Sequence, residues 1–95
     1  MLARQGLSAP AVQSQVMIHN HAFMPDKLTV HRGTTVTWIN RDNDAHTVTS
    51  SAGPEKFQSP GLDTGEKFAF IFKKAGTYQY FCSVHPYMRG TIIVQ

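Results

Sequence analysis

The feature that most constrains the fold of this chain is the recurrence of short β-branched and aromatic runs between turn residues. These runs cover residues 16–22, 27–31, 35–40, 46–50, 66–72, 77–82 and 91–94. Runs that recur roughly every 8 to 12 residues with turns between them are typical of a β-sandwich or barrel. No stretch has the period of an amphipathic helix. A chain of 95 residues, enough for one hydrophobic core, is therefore predicted to form a sandwich or barrel of about seven strands.

Alternating aromatic residues indicate where the core lies. Three fall on one face of a single run and three more lie on other runs: Phe68, Phe70, Phe72, Trp38, Tyr78 and Tyr80. We expect these rings to fill the space between two sheets about 10 Å apart. Residues 51–65 are rich in glycine and proline, so we expect a long surface loop there with at most a short helical turn.

Charge and cysteine content exclude several classes of protein. The net charge is +3, and the nine Lys and Arg residues are scattered along the chain, unlike the basic stripe of a nucleic-acid-binding surface. A single cysteine, Cys82, rules out an intramolecular disulfide and a four-cysteine zinc site. No run of about 18 apolar residues is present, so the sequence predicts no membrane span.

The beginning of the chain differs in character from the rest. Residues 1–14 lack the continuous apolar segment of a complete signal peptide. We expect them to form a flexible lead, such as the remnant of a processed or truncated precursor. Residues 15–95 are expected to form a single folded domain.

Three soft or borderline metal donors stand at intervals of three residues near the C-terminus. Cys82, His85 and Met88 follow directly after a predicted strand, so a thiolate, an imidazole and a thioether can converge on one ion. His46, which follows a polar turn, is the best candidate for a second imidazole. Two imidazoles, a thiolate and a weak axial thioether are the ligands of electron-transfer copper sites.

Two other chemistries fit part of this pattern. A thiol hydrolase also uses a cysteine and a histidine, but it draws them from distant segments and adds an orienting Asn or Asp. A thioether has no role in acyl transfer, so Met88 argues against that enzyme class. Zinc accepts one thiolate and two imidazoles and stays an alternative occupant, although Met88 favours copper.

The sequence resembles the cupredoxins, and among them the small blue copper proteins of the amicyanin and pseudoazurin type. The matching segments are residues 28–30 with Gly33, 36–40, 46–48, 75–78 and 82–90. The short spacing from His85 to Met88 is most like amicyanin. The resemblance implies an all-β Greek-key sandwich of about seven to eight strands. It also implies one copper ion per chain, held by His46, Cys82 and His85 with Met88 as the long axial ligand.

The resemblance implies a function as well. A protein of this kind would carry single electrons by cycling copper between Cu(II) and Cu(I), and it would not be an enzyme. One position departs from the family pattern. Thr47 stands where family members often have an Asn that braces the ligand loops, so the bracing is expected to be weaker here.

A docking surface is also implied by the resemblance. His85 would reach solvent through an apolar patch and act as the electron port, with Ala45, Val84, Pro86 and Tyr87 around it. Such a patch suits brief docking of a monomeric carrier to a redox partner. A c-type cytochrome or a copper- or quinone-containing oxidoreductase is the expected kind of partner.

Copper is scarce in a reducing cytosol, so the periplasm or an equivalent extracytoplasmic space is the expected location.

A second copper-related function stays open at the level of sequence. Met17, His19 and His21 would share one face of a strand, and a second copper site there would suit a protein that buffers or delivers copper. Solvent-facing residues on an edge strand are the plainer interpretation. A domain of a larger, membrane-tethered oxidase or reductase is a third alternative.

Overall fold

The computed structural model describes residues 13–95, which form two facing β-sheets. One sheet contains β1 (Gln13–His19), β2 (Ala22–Met24), β4 (Thr34–Asn40) and β6 (Lys67–Phe72). The other contains β3 (Lys27–Val30), β5 (Thr49–Ala52), β7 (Gly76–Phe81) and β8 (Arg89–Val94). The predicted all-β sandwich is confirmed. The described part of the chain contains no helix long and apolar enough to cross a membrane.

Most consecutive strands of the chain lie in different sheets. The first sheet has the order β2-β1-β4-β6 and the second has the order β3-β8-β7-β5. From β2 to β7 every connection therefore crosses from one sheet to the other. β1 runs parallel to β4 and β3 runs parallel to β8, and the other neighbours among the described strands are antiparallel.

The first predicted strand, residues 16–22, is two strands in the structure. Asn20 and His21 have positive φ angles of 53° and 55°, which place them in the left-handed region of backbone space. Such residues reverse the chain instead of continuing a strand. β1 therefore ends at His19 and β2 begins at Ala22, which brings the number of strands to eight.

The segment between β5 and β6 is more than the surface loop that its composition predicted. It pairs with residues before β5 and at its start, through isolated bridges of Leu62 with His46 and of Gln58 with Thr49. Phe57 and Leu62 are buried and join the hydrophobic core. This irregular pairing also replaces the first part of the strand predicted at residues 46–50, so the regular strand begins only at Thr49.

Aromatic rings fill the space between the sheets, as the alternation predicted. Trp38 of β4 meets Tyr80 of β7 edge to face with ring centroids 5.4 Å apart, and Phe72 of β6 meets Tyr78 of β7 at 4.8 Å. Edge-to-face pairs at these distances are favourable beyond the area that they bury. The other two phenylalanines of β6 are partly buried at the margin of this cluster. The packing of these rings holds the two sheets together.

The predicted flexible lead, residues 1–14, lies mostly outside the described residues. Its last two residues, Gln13 and Ser14, belong to β1. β1 pairs with β4 from Gln13 onward. The described domain therefore includes the last two positions of that predicted lead.

Gly90 allows β8 to pass close to the ring of Tyr80. The two residues are paired directly across β7 and β8, and a Cβ at Gly90 would overlap Cζ and the hydroxyl of Tyr80. Tyr80 is 1% exposed, so its ring would have to shift against the residues that pack around it. We expect Gly90→Ala to lower the free energy of unfolding by about 1 to 3 kcal/mol, as measured by chemical denaturation.

Gly61→Ala is the matched control for this substitution. A Cβ at Gly61 has no neighbour within 4 Å, so we expect the free energy of unfolding to change by less than about 0.5 kcal/mol. Equal stabilities of the two variants would contradict the close approach at Gly90.

Candidate metal centre

The loop between β7 and β8 carries three of the predicted donors. Cys82 comes directly after β7, and Met88 comes directly before β8. The amide of Cys82 donates to the carbonyl of Met88 at 3.1 Å, and the amide of Met88 donates to the carbonyl of His85 at 2.9 Å. These hydrogen bonds close residues 82–88 into a compact turn. The thiol and the imidazole on this turn are thereby held near each other.

His46 reaches the same end of the sandwich from a distant part of the chain. Its amide donates to the carbonyl of Leu62 at 3.1 Å, and its carbonyl accepts the amide of Leu62 at 2.8 Å. The side chain of His46 is fully buried. The sequence placed this histidine at the start of a strand. In the structure the bridge to Leu62 fixes it instead.

Three donor atoms converge at this end of the sandwich. Cys82 Sγ lies 3.6 Å from Nδ1 of His46 and 3.9 Å from Nδ1 of His85. A metal bound at about 2.3 Å to a thiolate and about 2.0 Å to an imidazole, with an angle of about 120° between the bonds, puts sulfur and nitrogen about 3.7 Å apart. The observed spacing therefore fits one ion shared by the three side chains. Met88 is buried in the same core cluster as Cys82.

Thr47 braces the two segments that carry these donors. Its amide donates to Cys82 Sγ at 3.3 Å. Its hydroxyl oxygen accepts the amide of Ser83 at 2.8 Å and lies 2.9 Å from the hydroxyl of Ser83. The residue that departs from the family pattern therefore still ties the two loops together, with a hydroxyl in place of a side-chain amide.

Asp42 supports His46 from outside the donor set. Its Oδ2 lies 2.8 Å from Nε2 of His46, and its two oxygens accept the backbone amides of Asn20 and His21 at 2.7 and 2.8 Å. Burial by itself raises the pKa of the Asp42 carboxyl, but the hydrogen bonds from His21, Asn20 and His46 together lower that pKa below its ordinary value of 3.8. Asp42 is therefore a charged carboxylate at neutral pH.

His21 lies beside the donors and not on the strand face where the sequence placed it. The predicted face with Met17 and His19 needs an unbroken strand, and the turn at Asn20 and His21 ends the alternation. The His21 ring is instead 4.8 Å from the His85 ring and 5.2 Å from the His46 ring, measured between centroids. Met17 and His19 stay exposed on β1 without it. The structure therefore does not bring the three residues of the predicted second site together on one face.

The residues predicted to surround His85 lie at the surface. Val84 and Tyr87 are 55% and 69% exposed, and Ala45 and Pro86 are exposed as well. His85 itself is half-buried, with its ring 6.2 Å from that of Tyr87. These residues, which are close in sequence to His85 or to His46, are therefore accessible to solvent.

Sequence reasoning identified the donors but missed the groups that support them. Asp42, the hydroxyl of Thr47 and the ring of His21 all contact the site. The relevant contacts join residues that are far apart in sequence, such as Thr47 with Ser83, 36 positions apart. The one local signal was the spacing of Asp42, four residues before His46, within a turn that is polar throughout.

Comparison with known proteins agrees with this site. The chain belongs to the cupredoxin-like domain family, whose family model matches residues 1–94. Within that family it is similar to amicyanins. Amicyanin-alpha of Methylorubrum extorquens is 31% identical over 90 residues, which are 92% of this chain and 76% of that protein.

Solved structures match the fold over nearly the whole chain. An amicyanin variant in its Cu(I) form has a TM-score of 0.81 and 33% identity, over 95% of this chain and 87% of that one. The copper-containing nitrite reductase of Thermus scotoductus SA-01 has a TM-score of 0.81 and 34% identity, over 94% of this chain but 23% of that enzyme. The predicted resemblance to cupredoxins of the amicyanin type is confirmed, and the four predicted donors are positioned as in a type 1 copper site.

The hydroxyl of Thr47 makes a testable contribution to the stability of this site. We expect Thr47→Val to lower the free energy of unfolding by about 1 to 3 kcal/mol, because the partly buried amide of Ser83 loses its acceptor. Thr77→Val, on the exposed face of β7, is the matched control and should change stability by less than about 0.5 kcal/mol. Thermal and chemical unfolding of the two variants would measure the difference. A similar loss of stability in both variants would contradict the bracing role of Thr47.

Proposed function

We propose that this protein is a type 1 copper protein that carries single electrons between redox partners. The observation that supports this most directly is the convergence of Cys82 Sγ with Nδ1 of His46 and of His85, at 3.6 and 3.9 Å. Met88, on the same loop as Cys82, would supply the fourth donor. A thiolate, two imidazoles and a weak thioether form the ligand set of electron-transfer copper. These four side chains would hold one copper ion per chain.

Copper, when bound, supplies the one-electron change between Cu(II) and Cu(I). The residues of the chain keep the donors in place throughout that change. His46 is fixed by its bridge to Leu62, and the thiolate accepts the amide of Thr47. Because donors held by surrounding contacts need little rearrangement, the site favours fast gain and loss of an electron.

The electron enters and leaves at His85. This imidazole is the half-buried donor, and the apolar residues around it, defined above, form a small docking surface. A small interface favours brief encounters, which suit a monomeric carrier that must release each partner quickly. A c-type cytochrome or a copper- or quinone-containing oxidoreductase is the kind of partner that we propose.

The protein is a carrier and not an enzyme in this proposal. The likeness to a nitrite reductase covers only 23% of that chain, whereas the amicyanin structure is matched over 87% of its length. We place the carrier in the periplasm or an equivalent extracytoplasmic space, because a reducing cytosol keeps free copper scarce.

Two substitutions in the ligand loop test the assignment of donors. Cys82→Ser should abolish the strong visible colour of the Cu(II) protein, because charge transfer from the thiolate causes that colour. Met88→Ala should keep the copper and the colour but shift the reduction potential, because the axial ligand tunes the potential. Visible spectroscopy and voltammetry measure the two effects.

Val84→Ala is the control for these variants, since Val84 lies on the same loop but its side chain is 55% exposed and supplies no metal donor atom. It should leave the colour and the potential unchanged. Equal loss of copper from Cys82→Ser and Met88→Ala would show that the axial role is wrongly assigned.

The number of bound copper ions distinguishes an electron carrier from a copper-handling protein. Met17 and His19 are exposed on β1, but His21 lies in the turn after β1 and not on the same strand face. We expect titration to give one tightly bound copper ion per chain, unchanged in a variant that combines Met17→Ala with His19→Ala. A second equivalent that this variant loses would instead favour copper buffering or delivery.

A further inference from the structure

Asp42 joins the buried copper donor to the turn that covers the site. Its Oδ2 lies 2.8 Å from His46 Nε2 and also accepts the amide of His21 at 2.8 Å, while Oδ1 accepts the amide of Asn20 at 2.7 Å. Its own amide donates to Oδ1 of Asn40 at 2.8 Å. Asp42 is 8% exposed. Hydrogen bonds from two different segments, the turn at residues 20–21 and His46, therefore hold this carboxylate in one orientation, while the bond to Asn40 fixes its backbone.

The contact with His46 determines which ring nitrogen carries the proton. A carboxylate only accepts hydrogen bonds, so Nε2 of His46 is the protonated nitrogen. In the neutral imidazole Nδ1 then has the free lone pair, and it is the nitrogen that lies 3.6 Å from Cys82 Sγ. A histidine whose other nitrogen donates to a carboxylate is a stronger metal donor, and its orientation is fixed.

We propose that Asp42 is a positioning residue that strengthens His46 as a copper donor and lowers the reduction potential of the site. The inference rests on the proposed function, since it concerns the same copper ion. Greater electron donation and a nearby negative charge both favour Cu(II) over Cu(I), because Cu(II) carries the higher charge.

Asp44 provides a matched control for the charge of Asp42. Its Oδ2 lies 2.8 Å from Nε2 of His21, and among the described residues it has no hydrogen bond to His46, Cys82, His85 or Met88. Its side chain is 61% exposed. Asp44→Asn removes the same unit of charge two positions away in sequence and leaves the hydrogen bond to His46 intact.

The experiment compares Asp42→Asn with Asp44→Asn in the copper-loaded protein. We expect Asp42→Asn to weaken Cu(II) affinity by about 10- to 100-fold and Cu(I) affinity by less, both measured by competition with chelators. Each tenfold difference between the two losses raises the potential by about 59 mV, which voltammetry measures. Asp44→Asn should change the affinities and the potential much less.

A second measurement reports the hydrogen bond itself and does not depend on the variant's stability. In the Cu(I) protein, which is suitable for NMR, we expect the Nε2 proton of His46 to be visible and to exchange slowly with solvent. It should remain so in Asp44→Asn. If the proton in the unaltered protein is located on Nδ1, or exchanges as fast as a free imidazole proton, the proposal is overturned.

The outcomes separate this inference from the proposed function. A wild-type protein without thiolate-to-copper colour would overturn the copper site as a whole. A coloured protein in which Asp42→Asn and Asp44→Asn shift the potential equally would overturn only the role of the hydrogen bond. An unchanged potential in Asp42→Asn would have the same meaning.

Discussion

The contact between residues 46–47 and residues 82–83 is the interaction on which the metal centre depends. It follows from the register of β5 and β7, in which Thr49 pairs with Phe81 in antiparallel fashion. Continuing that register by two residues puts Thr47 opposite Ser83, where their hydroxyls and backbone meet. Sheet pairing thus brings the buried histidine and the cysteine together. The aromatic core stabilises the pairing by holding the sheets face to face.

The two imidazoles of the site have different environments, and this difference suits electron transfer. His46 is fully buried, backed by a carboxylate and a backbone bridge, whereas His85 is half-buried on a short loop that faces solvent. One donor is therefore held firmly by the protein interior while the other connects the metal to the surface. In the proposed function, the buried side keeps the site rigid and the exposed side is where a partner would approach.

Local patterns were sufficient for much of the fold and for the donors. Alternation along β4 and β6 predicted the aromatic core because side chains on a strand point to opposite faces in turn. The spacing of Cys82, His85 and Met88 predicted a metal loop because all three lie on one short turn. The first strand was predicted too long because nothing in the residues Asn20 and His21 demands positive φ angles, although Asn tolerates them.

The sequence by itself determined which atoms can bind copper, since donor chemistry belongs to the residue types and their close spacing. Only the tertiary structure decided what surrounds them. Asp42, Thr47 and His21 meet the donors through hydrogen bonds and ring contacts across sheet register and turns. Such contacts depend on where the folded backbone places distant segments. The order of residues along the chain does not show directly which of these segments meet. The metal donors can therefore be identified from residue types and spacing, whereas the groups that hold them in place and adjust their donor strength are determined by the fold.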